Sequence, residues 1–176
     1  LAGAVVVTAA VFGAAEVGHQ RTVAALERID SVEEKSQNAL RLISLMLIAE
    51  TAHRGYLLSR RDDYLVPYQG AVTGSTEILE ALGQRYQKSG DTEGVRRIAR
   101  IATMIGEKKS ILEMTLQHAK AGEMDEAMNL FNSEIGRNKM GELRKEVDAL
   151  LEHNRARIDV LSAEAGSISR YSRLTV

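Results

Sequence analysis

Proline occurs once in this chain of 176 residues, at position 67, and no other feature narrows the possible folds as far. Proline is the residue that most sharply stops a helix. The stretches between the few turn signals are filled with Ala, Leu, Glu, Lys and Arg, which favour helix. Apolar residues return at steps of three and four, and no segment alternates at period two with β-branched enrichment. No internal repeat is visible. The expected fold is therefore all-α.

The registers predict four long helices. The first runs to about Leu58, with Ala39, Ile43, Met46, Glu50, His53 and Leu57 on one face. Ser59-Arg60-Arg61-Asp62 interrupts it, Asp62 can cap the next helix, and Pro67 lies near that helix start, where its lost N–H costs little. The second helix carries Leu65, Tyr68, Val72, Ser75, Leu79, Leu82 and Tyr86 and stops at Ser89-Gly90-Asp91. The third uses Ile98, Ala102, Ile105, Leu112, Leu116 and Ala119, and Gly122 ends it. Asn132-Ser133 and Gly136 predict a short helical turn or kink. The last helix carries Leu143, Val147, Leu150, Asn154, Ile158, Leu161, Ala165 and Ile168. Asn154 stands either in an apolar seam, fixing register, or at a solvent-facing edge. Short connections make neighbouring helices antiparallel, which predicts an up-down-up-down four-helix bundle. The first and last helices are longest, and forty residues span about 60 Å.

The two ends carry a different signal. Residues 1–15 are uncharged up to Glu16, a run of about 15 residues against the roughly 20 that cross a bilayer. Their small residues, Gly3, Ala4, Ala9, Ala10, Gly13 and Ala14, suit close helix approach in lipid. The run fits the second half of a membrane helix, a signal-peptide core with Gly13 and Ala15 at the cleavage positions, or a buried helix. The first is preferred. Residues 169–176, with Arg170, Tyr171 and Arg173 before apolar residues resume, resemble the edge of a second membrane helix. The expected organisation is thus 1–18 as the end of a membrane helix, 19–168 as the bundle, and 169–176 as the approach to a second span.

Composition removes whole classes of function. With no cysteine, disulfide frameworks, thiolate metal sites and cysteine nucleophiles are excluded. A net charge of −1 cannot neutralise a row of phosphates, and two Phe with no Trp offer little to stack bases on, so no nucleic acid is expected as a partner. There is no Gly-rich phosphate loop, no local Ser/His/Asp motif and no HExxH. Four-helix bundles can hold two metals on paired Glu-x-x-His motifs, and this chain has Glu16-Val-Gly-His19 and Glu50-Thr-Ala-His53. Both fall on one helix about 34 residues apart, roughly 50 Å, and cannot share a metal. No enzyme activity, metal or cofactor is expected. The Met residues read as adaptable packing, and Arg96, Arg97 and Arg100 as a solvated face or an anion site.

One segment stands out: Ala49 to Ser59, followed by Asp63-Tyr64-Leu65-Val66-Pro67-Tyr68. Glu50 and Arg54 are spaced for an ion pair on one helix face. Gly55 inside a helix costs up to about 1 kcal/mol against Ala, which predicts close approach of another group, with Tyr64 and Tyr68 the nearest candidates. The same residues would also serve simply to lock a tight helical hairpin.

Glu50-Thr51-Ala52-His53-Arg54-Gly55-Tyr56-Leu57-Leu58, with Tyr64-Leu65 and Pro67-Tyr68, resembles the signature of the type 3 CHASE domain. The resemblance continues through Gly122–Ala127, Gly136–Arg144 and Glu152–Arg155, covering roughly residues 20 to 165. The family's usual Gly-Asp/Glu step after the Leu-Leu-Thr is replaced by Arg60-Arg61, leaving no glycine for a left-handed turn. The resemblance implies an extracytoplasmic sensory module between two membrane helices, in the bacterial cytoplasmic membrane on its periplasmic side. Its parent would most often be a sensor histidine kinase of a two-component system, otherwise a chemotaxis-type or cyclase receptor. A homodimer is implied, answering an unidentified small-molecule or protein stimulus by movement of the membrane-connected helices. Glu50, Arg54, Gly55, Tyr56, Tyr64, Pro67 and Tyr68 are the signature positions it singles out for sensing or for the hairpin tip. The rival reading is a membrane-anchored structural or interaction bundle.

Overall fold

The computed structural model describes the backbone of residues 2–174 and the side chains of residues 16, 20–133 and 138–166. Five α-helices follow one another: α1 (Ala2–Ser59), α2 (Leu65–Lys88), α3 (Thr92–Ala121), α4 (Met124–Asn132) and α5 (Glu134–Leu174). A 3-10 turn, Asp62–Tyr64, precedes α2. No strand occurs among the described residues, and the fold is all-α. The apolar run expected in the membrane and the cluster at 169–176 lie outside the described side chains. Among the described residues no helix is long and apolar enough to cross a membrane.

The helix ends follow from local chemistry. After α2, Gly90 takes φ 66°, Asp91 N–H donates to the Tyr86 carbonyl and Gly90 N–H to that of Gln87. Asp91 then caps α3 by accepting from Gly94 N–H at 3.0 Å. Gly122 repeats the device after α3, at φ 87°, with Glu123 N–H donating to His118 and Gly122 N–H to Ala119. After α1 the corresponding residue is Arg60, which takes φ 59° itself. The left-handed turn that lacked a glycine is therefore made all the same. Arg60 N–H donates to the Tyr56 carbonyl at 2.8 Å, and its guanidinium donates to the Ala119 carbonyl at the end of α3. That contact offsets a conformation costing about 1–2 kcal/mol in a residue with a Cβ.

Two compact units are distinguished. In the unit of residues 36–152, one buried cluster takes Ala39, Leu42 and Met46 from α1, Leu82 and Tyr86 from α2, Ile98, Ile101 and Ile105 from α3, and Met140, Leu143, Val147 and Leu150 from α5. A second takes Ala49, Ala52, Tyr56 and Leu57 from α1, Tyr68 and Ala71 from α2, Leu112, Leu116 and Ala119 from α3, and Ala127 from α4. Each buried Leu, Ile or Val contributes roughly 1.5–3 kcal/mol. The α3 stripe runs through Ile101 rather than Ala102, which is exposed. The expected turn near Asn132-Ser133 is a whole nine-residue helix, α4, followed by extended backbone at Ser133 (ψ 143°). Asp125 and Glu126 in its first turn suit the helix dipole. Ala127, a member of the second cluster, with Met124 and Phe131 packed against that cluster, gives it an apolar face.

In the unit of residues 1–35 and 153–176, the buried side chains among the described residues are Ala25, Val32 and Lys35 of α1 and Asn154 of α5. Asn154, 1% exposed, is thus buried and not at a solvent-facing edge.

Candidate functional site

Polar residues interrupt the apolar faces of α1 and α3 at matching levels. On α1, Glu50, His53 and Arg54 follow within one turn. On α3, the buried register Ile98, Ile101, Ile105, Leu112 and Ala119 contains Lys108 and Thr115. Lys108, with its side chain 4% exposed, reaches Glu50 at 2.8 Å. Burying one charge without the other would be costly, so the pair fixes α1 against α3 at this level. The Glu50–Arg54 ion pair suggested by spacing is not among the described contacts. Glu50 turns to Lys108, and Arg54 lies over the Phe131 ring of α4, 5.6 Å from its centroid.

Between these helices is a cavity of about 210 Å³. Glu50, His53 and Arg54 line it from α1, Lys108, Ile111, Leu112 and Thr115 from α3, and Phe131 and Asn132 from α4. Thr115 commits its hydroxyl hydrogen to the Ile111 carbonyl at 2.7 Å. His53 is 1% exposed, and neither ring nitrogen has a partner in full hydrogen-bond geometry among the described residues, although the Leu112 backbone lies near enough to act on the ring. Its ring is flanked by Phe131 at 6.0 Å and Tyr68 at 6.3 Å. Burial lowers its pKa to about 4; the Leu112 backbone and Glu50 work the other way, and Lys108 and Arg54 lower it further. The imidazole is therefore neutral at physiological pH, with one donor and one acceptor to offer. Burial and the nearby Glu113 charge raise the Tyr68 phenol.

The other signature positions are distributed around this site. Tyr56 and Tyr68 are buried in the second core cluster. Tyr64 packs against Gly55 so closely that a Cβ there would stand 2.4 Å from its ring, which accounts for the glycine. Pro67 is exposed in the first turn of α2. The structure thus brings Glu50 and Arg54 to the cavity, and it places Gly55, Tyr56, Tyr64, Pro67 and Tyr68 in the hairpin and its packing. Lys108, Thr115, Phe131 and Asn132 were not singled out by sequence. A signal did exist for the first two, because they are polar residues at core positions once the α3 stripe is drawn through Ile101.

Elsewhere, the arginine cluster of α3 is matched by carboxylates: Arg97 and Arg100 meet Glu146 of α5 at 3.3 and 2.8 Å, and Arg96 and Arg97 meet Glu93. The hydrogen bond from Arg96 holds Glu93 below the usual carboxylate range. An anion arriving there would have to displace these partners. No group of three or more His, Asp or Glu that could hold a metal occurs among the described residues.

Residues 25–164 match the family described as the CHASE3 domain. No curated protein and no solved structure matches the chain.

Proposed function

Because the chain belongs to the CHASE3 domain family, whose members are extracytoplasmic sensory domains of receptors, we propose that it is the input module of a membrane-bound bacterial receptor, most plainly a sensor histidine kinase of a two-component system. The bundle stands on the periplasmic side of the cytoplasmic membrane, with residues 1–18 and 169–176 leading to two membrane helices and residues 19–168 forming the sensor. In this proposal α1, α2, α3 and α5 form an antiparallel up-down-up-down bundle, and two copies pair as a homodimer. Support comes from the first core cluster, to which all four helices contribute, and from the short α1–α2 and α2–α3 connections.

The family match across 140 of the chain's residues (25–164) is the observation that carries the sensory reading. The geometry adds that α1 and α5 are the longest helices, 58 and 41 residues, and that both continue past the unit of residues 36–152. A stimulus that shifts the packing of α1 against α3 would move a helix that continues toward the membrane segment. The proposal gives this chain no catalytic step and no cofactor.

The decisive experiment deletes residues 20–165 from the full-length receptor and measures its output across stimuli. Altered regulation is the expected result. Regulation identical to that of the intact receptor under every stimulus overturns the reading.

A further inference from the structure

We propose that the cavity between α1, α3 and α4 binds a small monocarboxylate with an apolar body, the carboxylate held by Arg54 and His53 and the body lying on Leu112 and Phe131.

The size comes first. A cavity of about 210 Å³ exceeds the roughly 150 Å³ apolar cavity that accommodates benzene. A branched short-chain acid or an aromatic acid fits this volume, and a nucleotide does not. Charge is next. Glu50 and Lys108 neutralise one another at 2.8 Å. Arg54 makes no ion pair among the described residues, and its guanidinium carbon stands 5.6 Å from the Phe131 ring centre, which leaves its N–H groups available to a carboxylate. With His53 neutral, the lining carries one net positive charge, the complement of a monoanion. A dianion would be left half-compensated in a partly desolvated site.

Recognition is completed by His53. A buried polar atom without a partner is costly, so well-packed interiors rarely leave two on one side chain. Here both ring nitrogens lack one among the described residues, on a side chain that lines a cavity. Tyr68, which flanks the ring, keeps its phenol protonated and adds no charge. A carboxylate oxygen accepting the imidazole N–H removes one unmet group and places the anion beside Arg54. The side chains of Ile111, Leu112 and Phe131, which also line the cavity, carry no polar atom and suit hydrocarbon. The exposed position of Arg54 means the cavity reaches solvent, so a solute can enter.

As the stimulus of a receptor, this ligand class rests on the sensory reading above; as a site, it stands on the cavity alone. The test is calorimetric titration of the chain of residues 1–176 with benzoate and isovalerate, and with the neutral amides benzamide and isovaleramide. Saturable one-to-one binding of at least one acid, tighter than about 1 mM, is expected. Its amide should bind at least tenfold more weakly. Arg54→Gln, at an exposed position, leaves folding intact and should weaken the acid at least tenfold, and His53→Leu should do the same. Absence of saturable binding by either acid, or equal binding of acid and amide, shows a cavity holding water only and overturns the site. Unchanged affinity in Arg54→Gln overturns the charge recognition. In the full-length receptor, binding that leaves output unchanged overturns the acid's role as stimulus while the site itself stands.

Discussion

His53 shows how much one side chain decides. A histidine among apolar neighbours on a helix face reads from sequence as packing, and its position on that face was legible from the register Met46, Glu50, His53, Leu57. Its two unpartnered nitrogens were not legible, because they depend on what α3 and α4 bring beside it. The protonation behaviour follows from the surroundings. Burial holds the folded pKa near 4, against 6.5 for the exposed group. Below pH 6.5 the unfolded chain takes up a proton that the folded chain refuses until about pH 4. Stability is therefore undiminished above 6.5, falls as pH drops through that window, and by pH 4 has lost about 3 kcal/mol from this residue. Glu50 and Arg54 from α1, Lys108 from α3 and Tyr68 from α2 face the ring, so the comparison must isolate His53. Chemical denaturation of the wild-type chain and of His53→Leu across pH 7 to 4 should show the gap between them shifting in the variant's favour as pH falls. Parallel curves would show that His53 titrates normally. Arg60 marks the limit of residue-level reading in the other direction: the sequence offers no glycine for a left-handed turn here, yet Arg60 takes that φ itself, with its guanidinium bonded to the Ala119 carbonyl.

At the scale of elements the sequence was most informative where local chemistry is sufficient. Ser89-Gly90-Asp91 and Gly122 specify a stop, and a stop is what forms, with the carbonyls taken up as the residue types require. The α3 stripe was drawn one residue off, at Ala102 instead of Ile101, because both are apolar and both continue the helical period from Ile98. Only the neighbouring helices decide between them. The same shift hid Lys108 and Thr115. The nine-residue α4 was compressed to a turn because its apolar face is short and becomes meaningful only against the cluster of α1 and α3. The junction of α2 and α3 offers a direct check. A Cβ on Gly94 would lie 2.2 Å from the ring of Tyr86, which is fully buried and has nowhere to move. Gly94→Ala should destabilise the fold by about 1–3 kcal/mol through overpacking. Gly83→Ala, where a Cβ meets nothing within 4 Å, should be neutral or stabilising by up to about 1 kcal/mol. Thermal melts of the two variants that moved in the same direction would contradict this picture of the junction.

For the whole molecule, the sequence predicted an all-α chain and a family, and both hold. It did not predict how unevenly the core is distributed. The two buried clusters lie entirely within residues 36–152, whereas residues 20–35 of α1 contribute only Ala25 and Val32 as buried apolar side chains. Local opening is easier where fewer apolar contacts oppose it. Amide hydrogen exchange followed along α1 should be faster in residues 20–35 than in residues 39–57, although the helix is continuous. Uniform protection would mean that stability in α1 comes from something other than this core. The turn at Arg60 has one more consequence. Among the described residues, Arg60 and Arg61 are the only basic residues outside a helix, and Arg61 is extended at φ −89°, ψ 125° with its side chain 68% exposed. Proteases that cut after arginine grip extended backbone and cannot grip a helix, so exposed loop tips are nicked first. Brief trypsin treatment should split the chain at Arg60 or Arg61 before any helical site. The two fragments should stay together under native conditions, held by the cores that both share.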